Sequence, residues 1–266
     1  MFDRYNRHIN YLRISVTDRC NLRCRYCMPT EGIHLLAHEE ILSFEEIAGV
    51  VKVAVNVGID KIRITGGEPL VRRGITDLIA MIALVKGVRD LALTTNGVLL
   101  KEYATQLKMA GLQRVNVSLD TLDPTRYTCI TRGGDISRVI EGINAARDAG
   151  LHPVKINCVV IKSSDEDDAR LVNKYAKEEG LQVRFIRQMD LETGDFSKVE
   201  GGEGGRCEIC NRLRLMANGM VKPCLFSEHT FSVRELGAEQ ALISALNDKP
   251  KRGCYNRTGR FYNIGG

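Results

Sequence analysis

The stretch "YLRISVTDRCNLRCRYCMP" (residues 11–29) decides how the rest of the chain is read. Its first part, "LRISVT" (12–17), has the apolar and β-branched content of a strand. Directly after it come Cys20, Cys24 and Cys27, spaced C-x3-C-x2-C. Three cysteines packed this closely can mean disulfides, zinc or an iron–sulfur cluster. Each makes a different demand on the remaining sequence.

The bulk composition narrows the choice. The chain has 266 residues, 44% hydrophobic and 27% charged, with nine cysteines, as expected of a folded globular protein. No apolar run approaches the ~20 residues of a membrane span. The opening "MFDRYNRHIN" is polar and lacks a signal-peptide core. A cytoplasmic protein with no membrane attachment is therefore expected. In a reducing compartment a disulfide framework is disfavoured. Six of the nine cysteines fall in two tight groups, Cys20, Cys24, Cys27 and Cys207, Cys210, Cys224, which points to metal or redox chemistry. With no Trp and 6% aromatics, a stacking platform for nucleic acid is not expected. The net charge of +5 suits a small anionic substrate if the arginines converge.

Outward from the opening strand the chain alternates. Strands are predicted at 12–17, "KIRIT" (61–65), "DLALTT" (90–95), "RVNVSLD" (114–120), "VKINCVVIK" (154–162) and "QVRFIRQM" (182–189), with helical segments between them. Ser43 and Glu46 form a capping box before the first helix, and Gly58 stops it. This alternation predicts an α/β fold with a parallel sheet. Consecutive right-handed crossovers suit a curved, partial (β/α)6 TIM-like barrel, with a doubly wound open sheet as the alternative. The Gly- and acid-rich "LETGDFSKVEGGEGG" (191–205) reads as a linker. Beyond it "NRLRLMANGMVKPCLF" reads as a hairpin turning at Asn218-Gly219, and "SVRELGAEQALISALND" as a helix. The division expected is a barrel over 1–190 and an extension over 191–266.

Parallel strands covered on both faces are normally apolar throughout, and these are not. Arg13 and Ser15 share a face, as do Lys61, Arg63 and Thr65; Asn116, Ser118 and Asp120; Lys155 and Asn157; and Arg184 with Gln188. Either some strands are edge strands with a wet face, or Arg13, Arg63, Lys155 and Arg184 line a cationic cavity suited to a phosphate-bearing substrate. A buried charge left unpaired is expensive, and barrel sites lie at the C-terminal strand ends, where Gly66-Gly67, Thr94 and Ser118 fall.

Structural zinc needs four ligands. Cys20, Cys24 and Cys27 supply three, and His34 or His38 could complete a Cys3His site. Four-iron clusters normally take four cysteines. Three would leave one iron open for a cofactor to chelate. The second trio, spaced C-x2-C-x13-C, is equally open: zinc with Cys254 or His229 as fourth ligand, or a second cluster. Cys129, Cys158 and Cys254 otherwise read as ordinary thiols.

At this point the motifs resemble a known family. C-x3-C-x2-C after a first strand, with Tyr26 before the last cysteine and "GGEP" (66–69) after the second strand, resembles the radical S-adenosylmethionine superfamily. "KIRITGGEPLVRR", "LTTNG", "VNVSLDTLD", "VKINCVV", "RFIRQM" and "CEICNRLRL" through "VKPCLF" follow the order of the molybdenum cofactor biosynthesis protein A family, the GTP 3′,8-cyclases. The resemblance implies a lyase with two [4Fe–4S] clusters, one held by Cys20, Cys24 and Cys27 and one by Cys207, Cys210 and Cys224. It implies S-adenosylmethionine bound at Tyr26, Gly67, Ser118 and Met189, where glycine lets the backbone approach a ligand closely. It also implies GTP held by Arg13, Arg63, Thr94, Lys155, Arg184, Arg212, Leu213 and Arg214. The reaction implied is abstraction of a ribose 3′ hydrogen followed by ring closure onto C8 of guanine. No residue acts catalytically beyond the cofactor and clusters. A flavodoxin or ferredoxin as electron donor, a cyclic pyranopterin monophosphate synthase downstream and a homodimer belong to the same expectation. A peptide as substrate is the alternative.

The sequence departs from that family in three places. Only 17 residues separate Met189 from Cys207, where family members carry several tens more. "FIRQMD" puts Arg187 in place of an acid and Asp190 in place of a proline. "RFYN" replaces a Met-containing approach to the terminal Gly265-Gly266. All three bear on the second trio rather than the first.

Overall fold

Alternation along one strand sets up the whole sheet. In β1 (Tyr11–Ser15), Leu12 and Ile14 are fully buried on the face that helices cover, while Arg13 points the other way. The computed structural model describes residues 1–189 and 197–253. After β1 come α1 (Phe44–Asn56), β2 (Lys61–Thr65), α2 (Ile75–Ala83), β3 (Asp90–Thr95), α3 (Leu100–Met109), β4 (Arg114–Ser118), α4 (Pro124–Thr131), α5 (Ile136–Asp148), β5 (Lys155–Val160), α6 (Asp167–Glu178) and β6 (Gln182–Arg187). Strands β7 (Arg212–Leu215), β8 (Met220–Lys222) and β9 (Phe231–Ser232), then α7 (Val233–Leu236) and α8 (Ala238–Asn247), complete the described elements.

The strands form one sheet in the order β6-β5-β4-β3-β2-β1-β7-β8-β9. Pairing is parallel from β6 to β7 and antiparallel beyond. The α/β partial barrel expected from the alternation is the fold observed. The C-terminal strands do not stand apart from it, because β7 pairs directly with β1. That pairing sets Arg13 in register with Arg63 on one side and Arg214 on the other.

Local chemistry explains the elements. At the start of α1, Ser43 Oγ accepts from the Glu46 backbone at 3.1 Å and Glu46 Oε2 accepts from the Ser43 backbone at 2.7 Å, a complete capping box. Gly58 follows with φ of 98°, a conformation L-residues avoid. The β7–β8 hairpin turns at Asn218-Gly219 as expected. Two details differ from the sequence reading. An extra helix, α4, begins at Asp123, whose side chain accepts from the Arg126 backbone, with Pro124 next to it. The last helical segment is broken at Gly237, with φ 78° and ψ 154°. The stretch read as a linker lies outside the described residues over 191–196. From Ser197 on it is tied down: Glu200 and Phe185 exchange backbone hydrogen bonds of 3.0 and 3.1 Å along the free edge of β6.

Two helical glycines give a test of the packing. In α5, a Cβ on Gly142 would lie 2.5 Å from the Gly97 carbonyl, whereas on Gly49 of α1 it would meet nothing within 4 Å. Gly142→Val is expected to lower the unfolding free energy by about 1–3 kcal/mol through overpacking. Gly49→Ala should raise it by about 0.5–1 kcal/mol through helix propensity. Urea unfolding of both variants checks the pair; equal effects would contradict this packing.

Candidate active site

The first cysteine trio sits on the loop leaving β1, and two neighbours fix that loop. On one side, Gly67 donates its backbone N–H to Thr17 at 2.7 Å and Glu68 donates to Arg19 at 2.8 Å. A Cβ on Gly67 would lie 2.4 Å from the Arg19 carbonyl, and one on Gly66 would lie 2.8 Å from that of Thr17. The close approach these glycines permit is therefore to the cysteine loop itself, a reason the sequence did not reveal. On the other side, Arg23 and Arg25 donate backbone N–H groups to Thr131 and Ile130 at the end of α4. Arg132, in a left-handed conformation, donates to the carbonyls of Arg23 and Met28.

Cys20, Cys24 and Cys27 share the wall of a cavity of about 270 Å³ with Tyr26, Gly67, Thr94, Ser118, Asn157 and Met189. All four residues assigned to a cofactor by resemblance thus face one space. Across it, Thr94 Oγ1 and Asn157 Oδ1 are buried without a hydrogen-bond partner, so the cavity fits a ligand with its own donors. Burial pushes the Cys20 thiol up to about 11 and Cys24 to about 12, and raises Cys27. Thiols in such a place become thiolates when a metal takes the proton's role. Among the described residues no three His, Cys, Asp or Glu side chains converge on one point, and His34 and His38 stand outside the cavity. Ligands of a four-iron cluster bind different irons and need not converge on one centre. The donor set fits a cluster better than single zinc.

Two carboxylates, the buried Glu68 and the half-buried Asp120, anchor this wall. Glu68 accepts from the backbones of Leu70 and Asn96 and from the Thr95 hydroxyl at 2.7–3.0 Å, while burial lifts it to about 7. Asp120 accepts from the Tyr26 hydroxyl at 2.7 Å and from the Val159 backbone at 2.8 Å, and burial lifts it to about 6. Asp120 joins the cysteine loop, β4 and β5. Its place on one face with Asn116 and Ser118 was legible; its partner was not.

A second cavity of about 210 Å³ shares Ile186, Arg187 and Met189 with the first. Its wall holds Cys207, Cys210 and Cys224 together with Arg13, Arg212 and Arg214. Between and below the cavities the inner sheet face is cationic. Burial lowers Arg13, Arg63, Lys155 and Arg184, and repulsion from neighbouring cations adds to it. Arg13 Nε and Arg63 Nε are buried without partners, as is the whole amide of Asn116, which is fully enclosed. Arg63, Lys155 and Arg184 line neither cavity directly. Leu213 is buried in the hydrophobic core, so anything it offers a ligand comes from its backbone. The alternation missed Arg114, clamped to Asp90 by hydrogen bonds of 2.5 and 2.9 Å. His229 pairs with Asp248 at 3.0 Å and is not part of the second cavity's wall. Cys254 and Gly265-Gly266 lie outside the described residues.

Removing Asp120 tests the anchor. Asp120→Ala leaves the Val159 N–H and the Tyr26 hydroxyl without an acceptor and is expected to cost about 2–3 kcal/mol. Asp120→Asn keeps an acceptor for Val159 and should cost less than half of that. Thermal unfolding of the metal-free chain checks both, and equal losses would show that the bond to Val159 carries little of the anchor.

Comparisons with known proteins agree with this geometry. Residues 14–175 match the Radical SAM superfamily. The GTP 3′,8-cyclase of Alkaliphilus oremlandii is 42% identical over 300 aligned positions, covering 95% of this chain and 94% of that protein. That of Pelotomaculum thermopropionicum is 44% identical over 296 positions, with 92% and 91% covered. Both alignments are longer than this 266-residue chain, so these relatives carry residues it lacks. Among solved structures, native anSMEcpe with bound AdoMet superposes with a TM-score of 0.65 at 18% identity, covering 94% of this chain and 84% of that one. No described helix is long and apolar enough to cross a membrane. The chain belongs to the radical S-adenosylmethionine superfamily and, within it, to the GTP 3′,8-cyclase family.

Proposed function

We propose that this chain is a GTP 3′,8-cyclase, converting GTP to (8S)-3′,8-cyclo-7,8-dihydroguanosine 5′-triphosphate in molybdenum cofactor biosynthesis. The observation that carries the reading is the pair of adjoining cavities, each with its own cysteine trio, beside an inner face on which Arg13 Nε and Arg63 Nε have no partner. Cys20, Cys24 and Cys27 would hold the cluster that the superfamily uses. Cys207, Cys210 and Cys224 would hold a second cluster. When bound, the first cluster and S-adenosylmethionine supply one-electron hydrogen abstraction. Everything else falls to the chain.

Tyr26, Gly67, Ser118 and Met189 orient the cofactor. Glu68, held by three donors, keeps the glycine loop in place beneath it. Arg13, Arg63, Lys155 and Arg184 neutralise the triphosphate, which supplies the counter-charge the sheet lacks. Thr94 presents an unpartnered hydroxyl to the nucleotide. Arg212, the Leu213 backbone and Arg214 run beside the second trio and position the base. Placement within ~3–3.5 Å of the reacting atoms is the source of rate here. Met189 and Ile186 belong to both cavities and form the apolar seam where water must be excluded. The barrel over 1–190 carries the cofactor site and the extension over 191–266 the second trio. A flavodoxin or ferredoxin donor, a downstream pyranopterin synthase and a homodimer complete the reading. A peptide substrate has only the shared fold in its favour.

Anaerobic turnover with GTP tests the proposal. The cyclised nucleotide and 5′-deoxyadenosine are expected together; cofactor cleavage without GTP binding would sink the nucleotide reading. Cys24→Ala should abolish 5′-deoxyadenosine formation on dithionite reduction. Reconstituted wild-type chain should carry about eight irons, and joint replacement of Cys207, Cys210 and Cys224 by Ala about four. Stoichiometric zinc in place of the second four would overturn the two-cluster assignment.

A further inference from the structure

Lys249, just beyond α8, is 1% exposed and among the largest fully buried side chains. Its ammonium donates to the Arg212 carbonyl at 2.7 Å and to the Pro223 carbonyl at 2.8 Å. These carbonyls belong to the two segments that carry Cys210 and Cys224. Lys249 lines the second cavity together with Cys210 and Cys224, and both thiols and the Arg7 guanidinium act on its charge. No described carboxylate neutralises it.

Arg7 makes the contrast. It is also buried, and it also ties the trio to the C-terminal segment: its guanidinium donates to the carbonyls of Cys207, Pro250 and Lys251 at 2.7–3.2 Å. Its charge, however, is matched by Asp3 at 2.6 Å. Arg7 is a neutral staple, while Lys249 is an uncompensated cation. A buried ammonium with no anion costs several kcal/mol, so its counter-charge must come from what the cavity holds. Three thiolates around an iron–sulfur core leave that centre negative, and nearby charge is one of the levers on its potential.

We propose that Lys249 is the counter-charge of the Cys207–Cys210–Cys224 centre: its ammonium joins the segments bearing Cys210 and Cys224 and raises the reduction potential of the iron–sulfur cluster held there. This rests on the two-cluster reading above. Lys249 is a positioning residue, since it acts on the cluster through its field and through the ligand segments.

The test uses the full chain, anaerobically reconstituted, as wild type, Lys249→Met and Lys249→Arg. Iron and zinc per chain are measured, followed by a dithionite titration monitored by electron paramagnetic resonance. The Cys20–Cys24–Cys27 cluster serves as internal reference. In Lys249→Met the second centre is expected to titrate at a lower potential, or to be lost alone, with the first unmoved. Lys249→Arg should restore the wild-type behaviour. An unchanged potential in Lys249→Met overturns the proposal, as does any loss that Lys249→Arg shares, which would mark a packing requirement. Zinc, or only about four irons, in the wild-type chain overturns the cluster reading itself, a result distinct from any difference among the variants.

Discussion

Arg13 lies between Arg63 and Arg214 on adjacent strands of a parallel sheet, and no helix can be packed over such a row. Covering it with apolar side chains would strand the charges at a cost of several kcal/mol each. Leaving it flat in water would forfeit the second face of a parallel sheet. Curving the sheet around the row, so that the charges face a cavity instead of a packed layer, removes the conflict. The outer residues of the same strands, Leu12, Ile14, Ile62, Ile64, Leu213 and Leu215, are all essentially fully buried. One strand therefore carries both a helix-packing surface and a cationic surface turned to a cavity, and the period of two keeps them apart.

Above that floor the two cysteine trios lie in opposite electrostatic settings. Around the first, the neighbouring ionisable groups are Glu68, Asp120 and the other thiols, and burial holds the protons on. Around the second, burial also pushes Cys210 up, but Lys249 and Arg212 outweigh it and bring Cys210 down to about 7. A centre among carboxylates is harder to reduce than one among cations. Clusters held at the two trios would therefore differ in potential, the one beside Tyr26 and Gly67 being the harder to reduce. The strands that line the floor serve both.

The sequence carried the fold because periodicity and capping are local. Ser43, Glu46 and Gly58 bound α1 by chemistry that needs no tertiary partner, and Asn218-Gly219 turns the hairpin for the same reason. It carried the inner face because a charge on every second residue of a parallel strand has no bland home. The contacts that hold the site together left no local signal. Lys249 stands in "NDKPKR", where a lysine reads as solvated surface, and only the return of α8 over β7 buries it. Asp120 pairs with Tyr26 across 94 positions of sequence. The glycines of "GGEP" were legible as a close approach, but the surface approached, the Thr17–Arg19 backbone, was visible only once β1 and β2 were paired.

The shortened segment before Cys207 acquires a meaning from the same geometry. A free edge on β6 would expose unpaired backbone groups, and a longer insertion is one way to cover them. Here the Glu200 backbone covers that edge at one point, pairing with Phe185. Gly201 then follows with φ of 74°, where an added Cβ would lie 2.5 Å from the Val183 carbonyl. The turn brings Ser197, Val199, Gly204, Gly205 and Arg206 onto the wall of the second cavity, and the next residue is Cys207. The few described residues of this segment thus pair with the sheet edge, build one side of the second cavity and deliver the first thiol of the second trio. Little of the described stretch can be varied independently, because each of the three tasks fixes the same backbone.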